Sequence, residues 1–382
     1  MDFLSIAWLA SIAGVTALYW IVPARVRPFV LPVATAALVG WASPLTVAAL
    51  TFSVVLCWAS YKHLESGWAI AATCAVQLLP LVAWRLDAQV PLPVIAGSLI
   101  PLGLAYITLR SVHYLIEAYK RDLPAHRLAD VIGYFFFLPT IVAGPIHRFP
   151  AWLADQRRLR WNPELFSEGL ERILYGYVKI AFLANVLIET RFTGWIHANL
   201  ADGSRGNLYL LMIAKGLNGY FQFAGYSDVA IGFARLLGFK IIENFDAPLI
   251  KPNVQRFWSA WHISLTSWCR DYVYTPVFSL TRARALGIVA SMAVLGLWHE
   301  FTPRYLAWGL YNGVGIVAWH RWRRVAGERL EDWLDGKPLL TSAWYVLAIL
   351  MTVHFIFLGF VLVQHPSLTE SVRTIGAMIG PR

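Results

Sequence analysis

The chain has 382 residues, of which 58% are hydrophobic and 14% charged, against about 25% charged in a typical soluble domain. Its mean hydropathy of +0.55 excludes a globule that must wet its whole surface. The formal net charge of +10 does not indicate nucleic-acid binding, because the basic residues sit in short loops between apolar runs. Arg25 and Arg27, Lys120, Arg121 and Arg127, Arg157, Arg158 and Arg160, and Arg321, Arg323 and Arg324 fit this pattern. Cytoplasmic loops of membrane proteins carry charge in this way, where it meets anionic lipid or an acidic cytosolic partner.

Apolar runs extend from end to end, so residues 1–382 read as one all-α, polytopic transmembrane helical domain. About 20 apolar residues cross the hydrocarbon. Candidate spans are 3–22, 29–42, 44–60, 68–84, 93–118, 129–146, 168–190, 206–236, 283–299, 305–320 and 340–364, giving ten or eleven helices. The first is preceded by Asp2 and lacks a basic n-region, which suits a spanning helix rather than a signal peptide. The run 29–42 is short and is expected to join the next helix as a kinked pair through Pro44. Basic loops flank 129–146 on both sides, so that run is re-entrant or one loop breaks the positive-inside rule. The polar stretch His147 to Glu168, with four Trp or Phe, reads as a surface segment. With no basic residue before Arg25, the N-terminus is placed outside the cytosol.

The three cysteines, Cys57, Cys74 and Cys269, suggest neither a disulfide framework nor a metal site. No GxSxG, HExxH, P-loop or CxxC motif occurs. Chemistry is sought instead among polar groups inside apolar runs, where each must be paired or functional. Arg256 to Tyr274, RFWSAWHISLTSWCRDYVY, is too polar to face lipid and carries His262. Its Arg270 and Asp271, adjacent in sequence, are each expected to pair elsewhere. His299 ends the apolar run Ala283 to Trp298 and is a candidate general base, because imidazole accepts a proton near neutral pH. Glu300, next to it, could orient the ring. Asp228 lies mid-run, with Arg235 two helical turns on as one possible partner. The bland alternatives are real: a membrane histidine is often only an interhelical hydrogen bond. That reading is preferred for His354 and for the pair His113 and Glu117, at i and i+4.

Four blocks give the sequence a resemblance to the membrane-bound O-acyltransferase superfamily, especially the bacterial branch that acylates cell-envelope polymers. They are Ala143-Gly-Pro-Ile-His-Arg148; Gly225-Tyr-Ser-Asp228 through Glu243-Asn-Phe245; Arg256-Phe-Trp-Ser-Ala-Trp-His-Ile-Ser-Leu265 with Arg270-Asp-Tyr272; and Leu297-Trp-His299. The likeness runs from about residue 95 to 320. It implies a helical bundle with a central tunnel and surface or re-entrant helices. It also implies His299 as catalytic base and His262 as the second histidine, placing the donor or a polar network. Trp258, Trp261, Ser264, Arg270, Asp271, Trp298 and Asp228 become candidate substrate-binding residues. The resemblance further implies a cytosolic thioester donor, acetyl-CoA or a phosphopantetheine-linked acyl carrier, with no tightly bound cofactor and no metal. The acceptor is a hydroxyl of an extracytoplasmic polysaccharide or envelope polymer. Partners are membrane lipid and a periplasmic or extracellular acyltransferase or polymer partner, and the place is the bacterial cytoplasmic membrane.

The sequence departs from the bacterial pattern at Glu300, where glycine is usual, and Thr352-Val-His354-Phe-Ile-Phe-Leu-Gly-Phe360 is more like teichoic acid D-alanyl transferases. D-alanyl transfer from a carrier protein is therefore one alternative. A proton-coupled transporter or flippase is another, and a non-catalytic scaffold a third.

Overall fold

The computed structural model describes residues 5–87, 103–141 and 144–379. Over these the chain is helical, and its one extended pairing is an isolated antiparallel bridge between Phe245 and Trp261. Two compact units are formed: Met1–Lys179 with Ala224–Glu243, and Ile180–Phe223 with Asn244–Arg382.

The first unit opens with α1 (Ile6–Ile21), whose first turn is capped by the Ser5 hydroxyl accepting from the Trp8 N–H at 3.2 Å. Next come α2 (Arg27–Ala42) and α3 (Pro44–Ser60). Between them Ser43 is extended, with φ −156° and ψ 93°. Pro44 drives its predecessor out of the helical region, so the expected kinked pair is two separate helices. After these come α4 (Gly67–Asp87) and α5 (Leu104–Lys120). Of the expected span 93–118, the part before Gly103 lies outside the described residues, as does Ala143 of the first motif block.

The run 129–146 is not a spanning helix. α6 (Leu128–Phe135) has eight residues, about 12 Å of rise against a hydrocarbon core of roughly 30 Å. A 3₁₀ turn at Leu138–Thr140 and the left-handed Gly144 (φ 129°) break the helix beyond Phe135. The conflict with the charge rule is thereby removed, because this run need not carry one basic loop across.

The remaining His-Arg block is bound into the core. Tyr134 Oη donates to the His147 carbonyl at 2.9 Å, and the Phe149 N–H donates to His113 Nε2 at 3.0 Å. α7 (Phe149–Arg158) buries Phe149, Trp152 and Leu153 and leaves its basic end exposed.

α8 (Pro163–Tyr177) starts at the Asn162 cap and continues through π-helical Val178–Thr193 into α9 (Gly194–Asn199), one helix of 37 residues. α10 (Arg205–Leu236) comes next. Gly169, Arg172, Gly176 and Lys179 fall on one face of the first helix, at spacings of three and four. Gly225, Asp228, Gly232 and Arg235 fall likewise on α10. A Cβ on Gly176 would stand 2.7 Å from the Gly225 carbonyl oxygen, and one on Gly232 2.6 Å from that of Gly169. The bare glycines let the two backbones meet, and this brings the charges together. Arg172 Nε donates to Asp228 Oδ1 at 2.7 Å, Lys179 Nζ pairs with Asp228 Oδ2, and a second nitrogen of Arg172 pairs with Glu243. Arg235 reaches Glu243 at 3.0 Å and Glu168 at 3.5 Å. Asp228 and Arg235 do share a face, as the spacing suggests, but that face turns toward α8 and each finds its partner there or beyond the helix end.

In the second unit, α11 (Val254–Ala260) and α12 (Ile263–Cys269) lead through a π-helical turn at Arg270–Tyr274 into α13 (Thr275–Thr281). α14 (Arg284–His299) and α15 (Pro303–Trp322) form a close antiparallel hairpin. α16 (Glu328–Leu334), α17 (Pro338–Gln364) and α18 (Leu368–Ile379) complete the chain. The hairpin seam is built on glycine. A Cβ on Gly296 or Gly309 would strike the backbone of the opposite helix, and one on Gly313 would lie 3.1 Å from the Val289 Cα. Small residues of this kind allow the approach on which membrane helices depend for their packing. Gly309→Ala is expected to destabilise the protein by about 1–3 kcal/mol through overpacking, seen as a lower unfolding midpoint in detergent. An unchanged midpoint would show that the seam can open without penalty.

Among the described residues three helices are long and apolar enough to cross a membrane: Gly67–Trp84, Pro163–Asn199 and Pro338–Gln364. Ile6–Ile21, Arg27–Ala42, Pro44–Ser60 and Arg284–His299 are apolar but shorter. Large side chains such as Trp41 and Leu339 are almost fully exposed, as is expected where hydrocarbon rather than water is the solvent.

Candidate active site

The site of interest lies within the second unit, where two motif blocks are tied together by backbone. The Ile263 N–H donates to the Asn244 carbonyl at 2.9 Å, and the Asp246 N–H to the Ala260 carbonyl at 3.0 Å. Ser264 Oγ donates to Asn244 Oδ1 at 2.8 Å. Asn244 thus fastens the Glu243-Asn-Phe245 segment alongside the start of α12, and Ser264 is committed to that joint.

His262 stands at the bend between α11 and α12. Its backbone is left-handed (φ 46°, ψ 51°), a conformation costing a non-glycine residue about 1–2 kcal/mol. Its carbonyl accepts from the N–H groups of Leu265 and Thr266, both at 2.9 Å, starting the helix. The bend turns the imidazole inward, leaving it 2% exposed. Phe223 meets it edge-on with centroids 4.7 Å apart, and Trp298 lies at 5.9 Å.

His299 closes α14. Glu300 after it is extended (φ −161°, ψ 137°) and Pro303 opens α15, so the chain doubles back. The turn folds Tyr305 and Trp308 over the imidazole. Tyr305 stacks on it at 5.9 Å with 21° between planes, and Trp308 meets it at 5.6 Å and 80°. Trp298 lies at 4.9 Å. The two histidine rings are 6.5 Å apart between centroids, close enough for one ester-sized group to touch both.

The other residues singled out from sequence divide. Trp298 touches both histidines. Trp258 Nε1 donates to Asn312 Oδ1 at 3.1 Å and meets Trp308 at 5.6 Å, and Trp261 stacks on Phe257 at 5.3 Å. Arg270 and Asp271 pair with each other at 3.0 Å. The expectation that each pairs elsewhere is corrected to this extent: the two pair with each other where the π-helical turn begins. Arg270 is exposed and Asp271 partly so. Asp228 belongs to the first unit, within its buried charge network. Glu300 holds the Arg304 guanidinium at 2.8 Å through both oxygens, so its carboxylate is already engaged by that cation. His354 Nδ1 lies 3.2 Å from Tyr209 Oη, an interhelical bond of the expected kind. Among the described residues, no cluster of His, Cys, Asp or Glu is arranged to hold a metal ion.

Sequence reasoning missed Tyr305, Trp308, Phe223 and the tie made by Asn244. For the first two a signal existed. Pro303 four residues after His299 marks a fresh helix start, and a tight hairpin must bring its first two turns back over the histidine.

The sequence profile of the MBOAT, membrane-bound O-acyltransferase family, matches residues 35–361, beyond the 95–320 legible by motif on both sides. The chain is 31% identical over 290 residues to the probable alginate O-acetylase AlgI of Pseudomonas syringae pv. tomato, covering 75% of this chain and 53% of that protein. The teichoic acid D-alanyltransferase of Bacillus subtilis is 31% identical over 277 residues, 68% of this chain and 67% of that protein. That of Streptococcus thermophilus is 30% identical over 344 residues, 83% of this chain and 82% of that protein. The chain spans about half the length of the alginate O-acetylase relatives it matches. With its matched profile covering most of its length, this chain belongs to the membrane-bound O-acyltransferase family.

Proposed function

We propose that this protein is an O-acyltransferase of the bacterial cytoplasmic membrane, crossing it several times. It moves an acyl group, acetyl by preference, from a cytosolic thioester to a hydroxyl of an extracytoplasmic polysaccharide or other envelope polymer. The observation that carries this reading is the approach of His262 and His299, 6.5 Å apart, among aromatic rings.

In this reading His299 takes the proton of the acceptor hydroxyl as its oxygen attacks the thioester carbonyl carbon. The C–S bond then breaks, and the departing thiolate takes the proton back from the imidazolium. One ester and one thiol result, and the enzyme is unchanged. His262, fixed by its bend, positions the donor. Trp258, Trp261 and Trp298 exclude water, which strengthens every polar interaction inside. No tightly bound cofactor is needed. The donor is acetyl-CoA or an acyl group on a carrier's phosphopantetheine, and the basic cytosolic loops suit either polyanion. Lipid surrounds the apolar helices, and an extracytoplasmic partner presents or receives the polymer.

D-alanyl transfer from a carrier protein is the second reading, favoured by the 82% coverage of the Streptococcus thermophilus relative. Supplying membranes with radiolabelled acetyl-CoA or with D-alanyl-loaded carrier separates the two. Alkali-labile acetyl label on polymer is the expected outcome, and label from the loaded carrier alone would establish the second. Proton-linked flux without any ester would contradict both and return the transporter.

A further inference from the structure

The indole N–H of Trp308 is an unspent donor beside the proposed base. Trp308 is 4% exposed, and its Nε1 is buried with no hydrogen-bond partner among the described residues. A buried N–H without an acceptor is costly, the more so where water is scarce. Nothing in the ring's own packing requires a nitrogen. One face stacks near-parallel on Phe360 at 6.0 Å, and the ring meets Trp258 at 5.6 Å and His299 at 5.6 Å. A phenylalanine would satisfy those contacts. The contrast with Trp258 is direct: that indole, in contact with Trp308, gives its N–H to Asn312 at 3.1 Å. Asn312 in turn donates to the Trp308 carbonyl at 2.9 Å, which anchors the helix turn carrying Trp308.

Attack on a thioester turns a neutral carbonyl oxygen into an oxyanion, and acyl-transfer sites hold a preorganised donor for that charge. His299, once protonated, balances the charge but is occupied with the proton in flight. We infer that the Trp308 indole N–H donates to the thioester carbonyl oxygen, and that this bond shortens as the oxygen gains charge. This assignment rests on the acyl-transfer reading proposed for the histidine pair. In it the acceptor oxygen forms its bond to carbon, the proton passes to His299, and the electron pair moves onto the carbonyl oxygen facing Nε1. Collapse restores the carbonyl, expels the thiolate and frees the N–H. Trp308 then touches the reacting atoms, and Tyr305, stacked on the imidazole, serves only to orient it.

The test substitutes Trp308→Phe, which keeps the stacked ring and removes the donor. Membranes carrying wild type, Trp308→Phe or His299→Ala at matched levels are given radiolabelled acetyl-CoA, and ester formation on the host's envelope polymer is monitored across donor concentrations. The expected result is a fall of about 10²-fold or more in the rate at saturating donor, with the half-saturating concentration changed little. The unfolding midpoint of the purified variant is expected to fall only slightly, because the space left by the smaller ring is offset by the loss of an unpaired buried donor. A merely structural Trp308 would show the reverse, a much lower midpoint with the maximal rate nearly kept. A Trp308→Phe rate near wild type, with His299→Ala inactive, overturns this inference alone. Activity retained by His299→Ala, or no acetyl transfer by the wild type, overturns the reading beneath it.

Discussion

Replacing Asp228 with asparagine is expected to destabilise the solubilised protein by about 3–5 kcal/mol, the cost of breaking a buried ion pair on one side. Asp228 is the most buried member of a network of three cations and three carboxylates, with its side chain 5% exposed. Its two oxygens serve different cations, Arg172 and Lys179. Asparagine keeps the volume and removes the charge. Lys179 then loses its carboxylate and Arg172 keeps only Glu243, while the two cations, still mostly buried, repel each other. A control at the rim, Glu168→Gln, should cost no more than about 1 kcal/mol, because that carboxylate is 56% exposed. Adding Lys179→Met to Asp228→Asn should recover a good part of the loss, since the stranded charge goes with it. Unfolding midpoints in one detergent check all four proteins. Equal midpoints for Asp228→Asn and wild type would show that the network contributes nothing to stability.

How far the sequence carried the fold depended on where polarity coincided with helix ends. The runs 44–60 and 340–364 match α3 and α17 within two residues at each end, because proline or lysine marks their limits. The run 168–190 fell short of Pro163–Asn199. That helix starts earlier, through Glu164, and ends later, past Arg191 and His197, polar residues that hydropathy reads as loop although the helix continues. At 129–146 hydropathy erred the other way. Apolar side chains persist past Phe135, but Pro139 and Gly144 interrupt the helix, and Arg110 and Tyr134 fill the core around it.

The site was legible in its histidines and blank in its lining. His299 is visible as a titratable group ending an apolar run, and His262 as one within a polar block. Tyr305 and Trp308 acquire meaning only once the hairpin closes, and Phe223 only through tertiary packing. The partners of Asp228 were illegible for the same reason, since Arg172 lies 56 residues away along the chain and is brought in by glycine-lined helix contact.

The largest effect on activity is expected at His299. General-base catalysis contributes about 10²–10⁴-fold, and an alanine leaves no group at that position to take the hydroxyl proton. His299 ends α14 and its ring is held among Trp298, Tyr305 and Trp308, so His299→Ala is expected still to fold and insert, and membrane-inserted protein is quantified alongside activity. The loss should therefore appear in the chemical step, and His262→Ala, which in the proposed mechanism alters donor placement, should also raise the donor concentration needed. The decisive measurement is ester formed on the envelope polymer per unit of membrane-inserted protein, for wild type and His299→Ala side by side. Transfer falling by at least about 10²-fold at matched levels is the predicted result. Near-wild-type transfer by His299→Ala would contradict a catalytic role for this histidine and with it the proposed mechanism.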